Sequence, residues 1–529
     1  MKRAGIVFFA LWLMRPLAAA DHSAPGEGLP HLKKNLSAII SSLLSCYDQV
    51  GERRFLEMAL HIGEIRTHPL FDLEWGRRPQ HAAAERALLQ KSVFYRDRLL
   101  RTGCPPGECD GELCRLAQEY IRASERPAGA VGKRALNLPE SCGITPIQKR
   151  LSPSQLMLKY ILLDDRILLF FIGADRSGYE FLPVGRAQAV DMVRRLSEPL
   201  EDFASGKVDY LRIHFDLELA QRLYNIFLKK TVERYPQADE FLIIPDGELY
   251  KLPFDALVTG FHSDYQPADI LFSEYLAADY VIQKYKVSYF FSFADFLRTF
   301  SGPKEYPYTL AAFGDPVVRG AEHGETDLPL RGVPAIADIP STRLEVLSLE
   351  KLFAGSRRRI FLGKDFTRGN FASFAPHAKL IHLATHFFHD RDDPSRSAFL
   401  FSSAGGSPAL CEARQIRELR LRAELVILSA CESSEKNLLG FQLVSGMTAA
   451  IRQAGARDLI ASLWPVDEFS SQVVPLFYRE YLRGDSSAAA LRSAKLALFG
   501  RTIAIRDGVL LSLAHPFLWA NYALYHFYH

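Results

Sequence analysis

Residues 380–386 read LIHLATH, residues 424–431 read ELVILSAC, and residues 458–464 read DLIASLW. Each is a short apolar run, and helix-length segments separate the runs, which is the pattern of buried parallel strands in a sheet covered on both faces. The first run ends at His386 and the second at Cys431. Because open α/β sheets place their chemistry at the carboxyl ends of their strands, we expect these two residues to meet.

One cysteine, one histidine and a donor that polarises the carbonyl suffice for covalent hydrolysis of a peptide bond. The imidazole lowers the pKa of the thiol and later supplies a proton to the leaving amine. Two alternatives stay open: a cysteine after an apolar run is commonly a buried structural thiol, and a histidine at a strand end is commonly structural. The polar run 432–437 directly after Cys431 favours a position where the strand reaches the surface. Asp390 is a polar neighbour that either orients an imidazole or is a solvated loop residue.

The composition is that of an ordinary globular protein. The chain has 529 residues, of which 48% are hydrophobic and 24% are charged, and its net charge is +3. This length is enough for about two to four domains. The balanced charge predicts no nucleic-acid binding, and the absence of a phosphate-cradling glycine loop argues against nucleotide binding. After residue 30, no apolar run reaches the roughly 18–20 residues of a membrane-spanning helix.

The first twenty residues have the pattern of a secretory signal peptide. A charged start, residues 1–3, precedes an apolar stretch at 4–14, and Ala18-Ala19-Ala20 provides small residues for cleavage before Asp21. We therefore expect cleavage after Ala20 and a secreted or periplasmic protein. The alternatives are an uncleaved anchor and a misread start, and the latter would leave the protein in the cytoplasm.

Seven cysteines occur, and five of them lie before residue 143: Cys46, Cys104, Cys109, Cys114 and Cys142. Such a cluster favours a local disulfide framework in an oxidising compartment, without indicating the pairing. Cys411 makes the number even when Cys431 is set aside. Zinc is the alternative for residues 104–114, but the C-x4-C-x4-C spacing lacks the usual C-x2-C pair and an obvious fourth ligand. We predict no metal and no cofactor.

Five segments follow from composition and periodicity. We predict a signal peptide at 1–20, a helical region at 21–124, a linker at 125–150, and two α/β halves at 151–303 and 304–529. The helical region is interpreted as a small bundle, with one or two helical repeats as the alternative. In the first half, the strand Phe241–Ile244 runs into Pro245-Asp246-Gly247, a turn signal that offers no nucleophile with a partner base. We expect that half to be structural.

From about residue 155 to the C terminus, the chain resembles the CHAT family, caspase-like cysteine peptidases related to separases. The resemblance rests on the order and spacing of several motifs: IPDGEL at 244–249 with LPF at 252–254, GDP at 314–316, HLATH at 382–386, LSACE at 428–432, AGAR at 454–457, SLWPVD at 462–467 and WA at 519–520. It implies a caspase–haemoglobinase-like α/β sheet with helices on both faces. In that fold the first half is degenerate, the second half is catalytic, and a small all-α region precedes both. It also implies that His386 is the general base and acid and that Cys431 is the nucleophile.

The chain departs from the family pattern directly after the histidine. The family usually has glycine there, and its backbone N–H helps to hold the oxyanion; this chain has Phe387. The backbone N–H groups of Phe387 and Cys431 remain the expected oxyanion donors. Phenylalanine lacks the freedom of glycine at positive φ, and we expect its ring to narrow the cleft.

Substrate preference is inferred from Asp467 and Glu468, which follow the third strand. In separases an acidic residue in a similar place receives an arginine side chain, and a carboxylate is the natural bidentate partner of guanidinium. We therefore predict cleavage of protein or peptide substrates after Arg or Lys, with these carboxylates in the substrate pocket. The alternative is that both charges serve the first turn of the helix that follows.

The sequence is compatible with two functions. The first is a cysteine endopeptidase. The second is a catalytically silent caspase-like interaction module whose helical N terminus binds a partner protein. For both, we expect no nucleic acid and no membrane span beyond the signal sequence.

Overall fold

The structure is a computed structural model. It describes residues 143–204, 213–262, 265, 269–317, 339–388, 390, 393–403, 408–432, 446–464, 466, 469–505 and 508–528, with twelve positions between 37 and 64. The predicted signal sequence, the five N-terminal cysteines, and Asp467 and Glu468 lie outside these residues.

The strands of the described residues are β1 Gln155–Leu162, β2 Arg166–Gly173, β3 Ser177–Gly185, β4 Glu240–Ile244, β5 Val258–Phe261, β6 Ala278–Tyr280, β7 Lys286–Phe290, β8 Tyr308–Gly314, β9 Arg358–Leu362, β10 Ala378–Phe388, β11 Ala398–Ser402, β12 Pro408–Glu412, β13 Leu425–Glu432, β14 Asp458–Ser462, β15 Thr502–Ala504, β16 Leu510–Ser512 and β17 Tyr522–His526. The α-helices are α1 Ile144–Arg150, α2 Arg186–Ala204, α3 Leu217–Phe227, α4 Lys229–Arg234, α5 Val281–Lys284, α6 Phe293–Leu297, α7 Pro340–Leu352, α8 Arg368–Phe374, α9 Ala413–Arg417, α10 Met447–Ala454, α11 Val473–Leu482, α12 Ser487–Phe499 and α13 Pro516–Trp519. Short 3-10 turns lie at Gly247–Lys251, Phe254–Ala256, Ser273–Ala277, Gly363–Asp365, Ala375–His377, Pro394–Arg396 and Ser470–Gln472.

Thirteen of these strands form one mixed sheet in the order β12-β11-β10-β13-β14-β17-β7-β4-β1-β2-β3, and β8 pairs with both β10 and β9. The three apolar runs at 380–386, 424–431 and 458–464 form β10, β13 and β14, which are adjacent and parallel. The C-terminal strand β17 pairs antiparallel with β14 and parallel with β7. Through β17, the strands of both predicted halves belong to a single sheet.

Helices and loops cover both faces of this sheet. Alternate residues of a strand point to opposite faces, and along β1 they enter two different apolar cores. Leu158 and Tyr160 belong to the larger core, which extends through both halves. Met157 and Ile161 belong to the second, smaller core. The prediction of an α/β sheet with helices on both faces is therefore confirmed.

The N-terminal helical region contributes to the second core. Its twelve described positions are all helical, and the apolar ones are buried against the back of β1 and β2: Ile40, Leu44, Leu56, Ala59 and Leu60. A buried ion pair adds to this contact, because Glu64 Oε1 lies 2.7 Å from Lys159 Nζ of β1 and neither side chain is exposed. Glu64 also accepts a hydrogen bond of 2.9 Å from the backbone N–H of Phe293, the first residue of α6. These positions are part of the folded body.

The first described helix, α1, differs from the sequence prediction. It occupies residues that were assigned to the linker at 125–150, and it buries Ile144 and Ile147 in the second core. The assignment to a linker relied on Pro146 and on neighbouring glycines. Proline is tolerated in the first turn of a helix, where its missing N–H has no intrahelical partner, so Pro146 does not prevent α1.

Candidate active site

The register between β10 and β13 brings the two candidate residues together. The parallel pairing runs from Leu380 opposite Leu425 to Phe387 opposite Glu432, and it places His386 directly opposite Cys431. Neighbouring strands lie about 4.8 Å apart. The two positions, separated by 45 residues in the sequence (431 − 386), are therefore immediate neighbours at the carboxyl ends of adjacent strands.

His386 is a largely buried residue. Only 5% of its surface is exposed, and its ring lies 6.5 Å, between centroids, from that of Phe388. Strand β10 continues for two residues beyond His386, where β11 pairs with it. The imidazole is thus held by the sheet instead of being carried on a loop.

Phe387 fits the strand without backbone strain, and the direction of its ring corrects the expectation that the ring would narrow the cleft. Among the described residues, the non-glycine positions with positive φ are Phe272, Asp315 and Arg422, so Phe387 does not need the freedom of glycine. Its ring is buried and lies 5.5 Å from that of Phe399. Because side chains alternate along a strand, this ring leaves the sheet on the face opposite to His386. The backbone of Phe387 pairs with β11 on one side of β10 and with β13 on the other.

Asp390, the other polar candidate near His386, organises the loop that leads to β11. Its Oδ1 accepts a hydrogen bond of 2.8 Å from the backbone N–H of Asp393, and its Oδ2 lies 3.5 Å from Arg396 Nε. Its own backbone N–H donates to Ser397 Oγ at 3.1 Å. These contacts favour the loop interpretation of Asp390.

A buried polar network that the sequence analysis did not identify lies one layer behind the candidate pair. Ser429 Oγ donates to Glu345 Oε2 at 2.9 Å and lies 3.0 Å from the hydroxyl of Tyr522. The other carboxylate oxygen of Glu345 lies 3.1 Å from Nε2 of His382. All four residues are buried, and they come from four elements, α7, β10, β13 and β17.

The electrostatic effect of this network is evident at a neighbouring tyrosine. Burial raises the pKa of Tyr478 well above its ordinary value, and the nearby carboxylate of Glu345 adds to the increase. The ring of Tyr478 lies 6.2 Å from that of His382. The sequence did contain one signal of the network: His382 and His386 are four positions apart in a strand, so they share a face of the sheet.

Cys411, the other described thiol, is unsuited to nucleophilic attack. It is a free, buried cysteine on β12. Burial raises the pKa of its thiol to about 12, although Arg368 opposes the increase. Cys411 therefore resembles a small apolar core residue in its chemistry, and the disulfide framework considered for six cysteines does not include it.

A cavity of about 510 Å³ lies at the amino ends of the parallel strands, on the opposite side of the sheet from the carboxyl ends that carry His386 and Cys431. Charged pairs line it: Asp458 Oδ1 lies 2.7 Å from His526 Nδ1, and Arg457 NH1 lies 3.7 Å from Glu424. Burial raises the pKa of Asp458, but the neighbouring His526 and Arg457 outweigh that effect, so its pKa lies below the ordinary value. These contacts stabilise the beginning of β14 and are far from His386.

In the part of the chain that the structure describes, no helix combines the length and the apolar character that crossing a membrane requires. In the same residues, no group of three or more His, Cys, Asp or Glu side chains is arranged to hold a metal ion.

The family model for the CHAT domain matches residues 217–526, more than half of the chain. Tetratricopeptide repeat protein 28 of Mus musculus is 29% identical over 116 residues, and its Homo sapiens counterpart is 26% identical over 135 residues. These matches cover 22% and 25% of this chain but only 4% and 5% of those proteins.

Among solved structures, two crystal structures of the Saccharomyces cerevisiae separase–securin complex are similar. Both have a TM-score of 0.47 and cover 94% of this chain and 37% of that chain. Their sequence identities are 9% and 10%.

Proposed function

Because the chain belongs to the CHAT-domain family, we propose that it is a cysteine endopeptidase of the caspase-like type. His386 is the general base and acid, and Cys431 is the nucleophile. The observation that carries the proposal is the register of β10 and β13, which pairs these two positions directly. Positions paired on neighbouring parallel strands share a face of the sheet, so an imidazole and a thiol there are within reach of each other.

The reaction proceeds through an acyl-enzyme. His386 takes the proton of the Cys431 thiol, and the thiolate sulfur attacks the carbonyl carbon of the scissile bond. The carbonyl oxygen becomes an oxyanion, for which the backbone N–H groups of Phe387 and Cys431 are the proposed donors. His386 then gives its proton to the leaving amine. Water attacks the thioester while His386 accepts a proton, and the carboxylic acid leaves as the thiol is restored.

The proposed substrate specificity is for Arg or Lys before the scissile bond, with Asp467 and Glu468 in the pocket. Strand β14 runs parallel to β13, so the residues after β14 leave the sheet at the same edge as His386. Trp464 fixes the start of the segment that follows β14, because its indole Nε1–H donates to the carbonyl of Phe517 at 3.0 Å. A carboxylate that receives guanidinium forms a charge-assisted, bidentate contact.

Peptide cleavage tests the proposal directly. We expect hydrolysis of peptides with Arg or Lys before the scissile bond and no hydrolysis of matched peptides with Asp. Cys431→Ala abolishes the activity, whereas Cys411→Ala, the matched removal of a buried thiol, retains it. Asp467→Asn lowers kcat/KM for the Arg peptide by about ten- to a hundred-fold, the value of one charge-assisted hydrogen bond.

Failure of the proposal has a distinct signature. If the wild type cleaves none of the peptides and a thiol-reactive probe does not label Cys431, the chain is not a peptidase. The caspase-like interaction module, with a partner bound through the N-terminal helical region, is then the function to pursue.

The proposed location is outside the cytoplasm, secreted or periplasmic, after cleavage behind Ala20. Support comes from the charged start, the apolar stretch and the three alanines before Asp21. Mass spectrometry of the protein from its native source is expected to find Asp21 as the first residue. An intact N terminus at Met1 in a cytoplasmic fraction would contradict this.

A further inference from the structure

Ser429 lies one layer behind Cys431 on the same strand. Residues two apart in a strand share a face of the sheet and are about 6.6 Å apart along it. The register pairs Ser429 with Ala384 and Cys431 with His386. If Ser429 shifted along the direction of β13, Cys431 would shift with it relative to His386 on β10.

Hydrogen bonds to two other elements fix Ser429. A serine hydroxyl has one proton to donate, and here the proton goes to the carboxylate of Glu345 on α7. The contact of 3.0 Å with Tyr522 on β17 then has the tyrosine as its donor. The serine is only 3% exposed and Tyr522 is fully buried, so water does not compete for either bond.

We infer that Ser429 and Glu345 are positioning residues for Cys431, holding the carboxyl end of β13 at the height where its cysteine faces His386. This role rests on the proposed function, because the group that is positioned is the nucleophile. Neither residue touches the substrate or the reacting atoms. Misplacing a reacting group by about 1 Å costs up to a hundred-fold in rate, so a hydrogen-bonded anchor one layer below the thiol has a measurable catalytic effect.

The contacts of Glu345 explain why this anchor is rigid. Its second oxygen lies 3.1 Å from His382 of β10, the strand that carries His386. One carboxylate thus contacts both strands whose ends form the candidate site. Helix α7, which supplies Glu345, also lies against β8 and β10. The carboxylate of Glu345 therefore links β10 and β13 to helix α7.

Ser429→Ala, with Ser402→Ala as the matched control, tests the inference. Ser402, on β11, is similarly buried, and its hydroxyl donates to the carbonyl of Gly363 at 2.8 Å. Two readouts are used: kcat and KM for the cleaved peptide, and the rate at which iodoacetamide alkylates Cys431, followed by mass spectrometry. In the alkylation, the thiolate sulfur displaces iodide, so its rate reports the state of Cys431 without any substrate.

We expect Ser429→Ala to lower kcat by about ten- to a hundred-fold with KM nearly unchanged, and to slow alkylation of Cys431 by about ten-fold. Ser429→Thr, which keeps the hydroxyl, recovers most of both rates. Tyr522→Phe, which removes one of the two bonds, has a smaller effect. Ser402→Ala lowers the thermal midpoint to a similar extent as Ser429→Ala but leaves both rates as in the wild type.

Two results separate the inference from the proposed function. If wild-type Cys431 is alkylated rapidly, and Ser429→Ala loses only stability while both rates stay at the wild-type value, the positioning role is wrong and the peptidase proposal stands. If wild-type Cys431 is no more reactive than a free thiol and no peptide is cleaved, the proposed function is wrong and the positioning role falls with it.

Discussion

The substitution Lys159→Met tests whether the N-terminal region belongs to the fold. Glu64 and Lys159 form an ion pair of 2.7 Å with no exposed side-chain surface. Burial raises the pKa of Glu64 above its ordinary value of 4.5, and Lys159 opposes that increase. Methionine fills a similar volume but removes the opposing charge. In the variant, therefore, Glu64 must bind a proton when the chain folds at neutral pH.

The cost follows from proton linkage. Each pH unit between the ordinary pKa of Glu64, 4.5, and the working pH costs about 1.4 kcal/mol when a folding chain must take up one proton. At pH 7, Lys159→Met is expected to lose about 3 kcal/mol of unfolding free energy, because it leaves a buried carboxyl without its partner charge. A carboxyl with a raised folded pKa is most favourable below its unfolded pKa, and that contribution is lost as the pH rises. The loss in the variant therefore shrinks as the pH is lowered, and it vanishes near 4.5.

Denaturant unfolding at several pH values between 4.5 and 7 measures this loss. The double variant Lys159→Met/Glu64→Leu removes the titrating group and is expected to show no additional pH dependence, because two apolar side chains replace a buried pair. Glu198→Gln, in the exposed pair with Arg194, is the control and is expected to leave stability unchanged. A loss for Lys159→Met that is the same at every pH, or no loss at pH 7, would refute the reasoning.

Three further outcomes are expected. Iodoacetamide labels Cys431 but not Cys411 in the folded protein, because burial raises the pKa of Cys411 to about 12; equal labelling of both by mass spectrometry would contradict this. The pKa of Asp458 is lowered below its ordinary value of 3.8, so this carboxylate contributes stability that is present above 3.8 and lost as the pH falls through the lower folded value. His526→Ala is expected to raise the pH midpoint of acid unfolding, measured by circular dichroism, and an unchanged midpoint would show that the pair adds nothing. Gly314→Ala is expected to cost about 1–3 kcal/mol in thermal unfolding, because a Cβ there would lie 2.8 Å from a side-chain carbon and 3.2 Å from a carbonyl oxygen of α7; a variant as stable as the wild type would mean that α7 shifts freely.

Strands with strong local patterns were predictable from the sequence. The apolar runs at 380–386, 424–431 and 458–464 form β10, β13 and β14, which are adjacent and parallel, although the bounds differ by up to two residues. Other strands depend on distant partners. No strand was predicted for the segment Tyr522–His526; it becomes β17 because β14 and β7 provide pairing on both sides. The edge hairpin of β11 and β12 was missed because its short strands lie between β10 and β13, in a stretch that was interpreted only as a helix-length segment separating two apolar runs.

The candidate site shows the same division between local and distant information. His386 and Cys431 each end a recognisable apolar run, so the sequence alone predicts them. Glu345 reaches Ser429 across 84 positions, and Tyr522 reaches it across 93. No periodicity within one element indicates such contacts, because they arise only when a helix and the C-terminal strand pack against β13. The consequence of Phe387 was likewise misjudged, since the position of its ring depends on Phe399 of the neighbouring strand β11.

The packing of the N-terminal region restricts the interaction-module alternative. Its described apolar positions are buried against β1 and β2, so a partner bound by this region must use its other residues. The helix α6 connects this region to the second α/β half, because Glu64 accepts a hydrogen bond from the first N–H of α6 and Asp295, also on α6, forms a buried ion pair with Arg452 of α10. In the sequence, α10 is the first described helix after Cys431. The described N-terminal positions therefore contact α6, which is linked in turn to α10, and removing them would expose apolar side chains of β1 and β2.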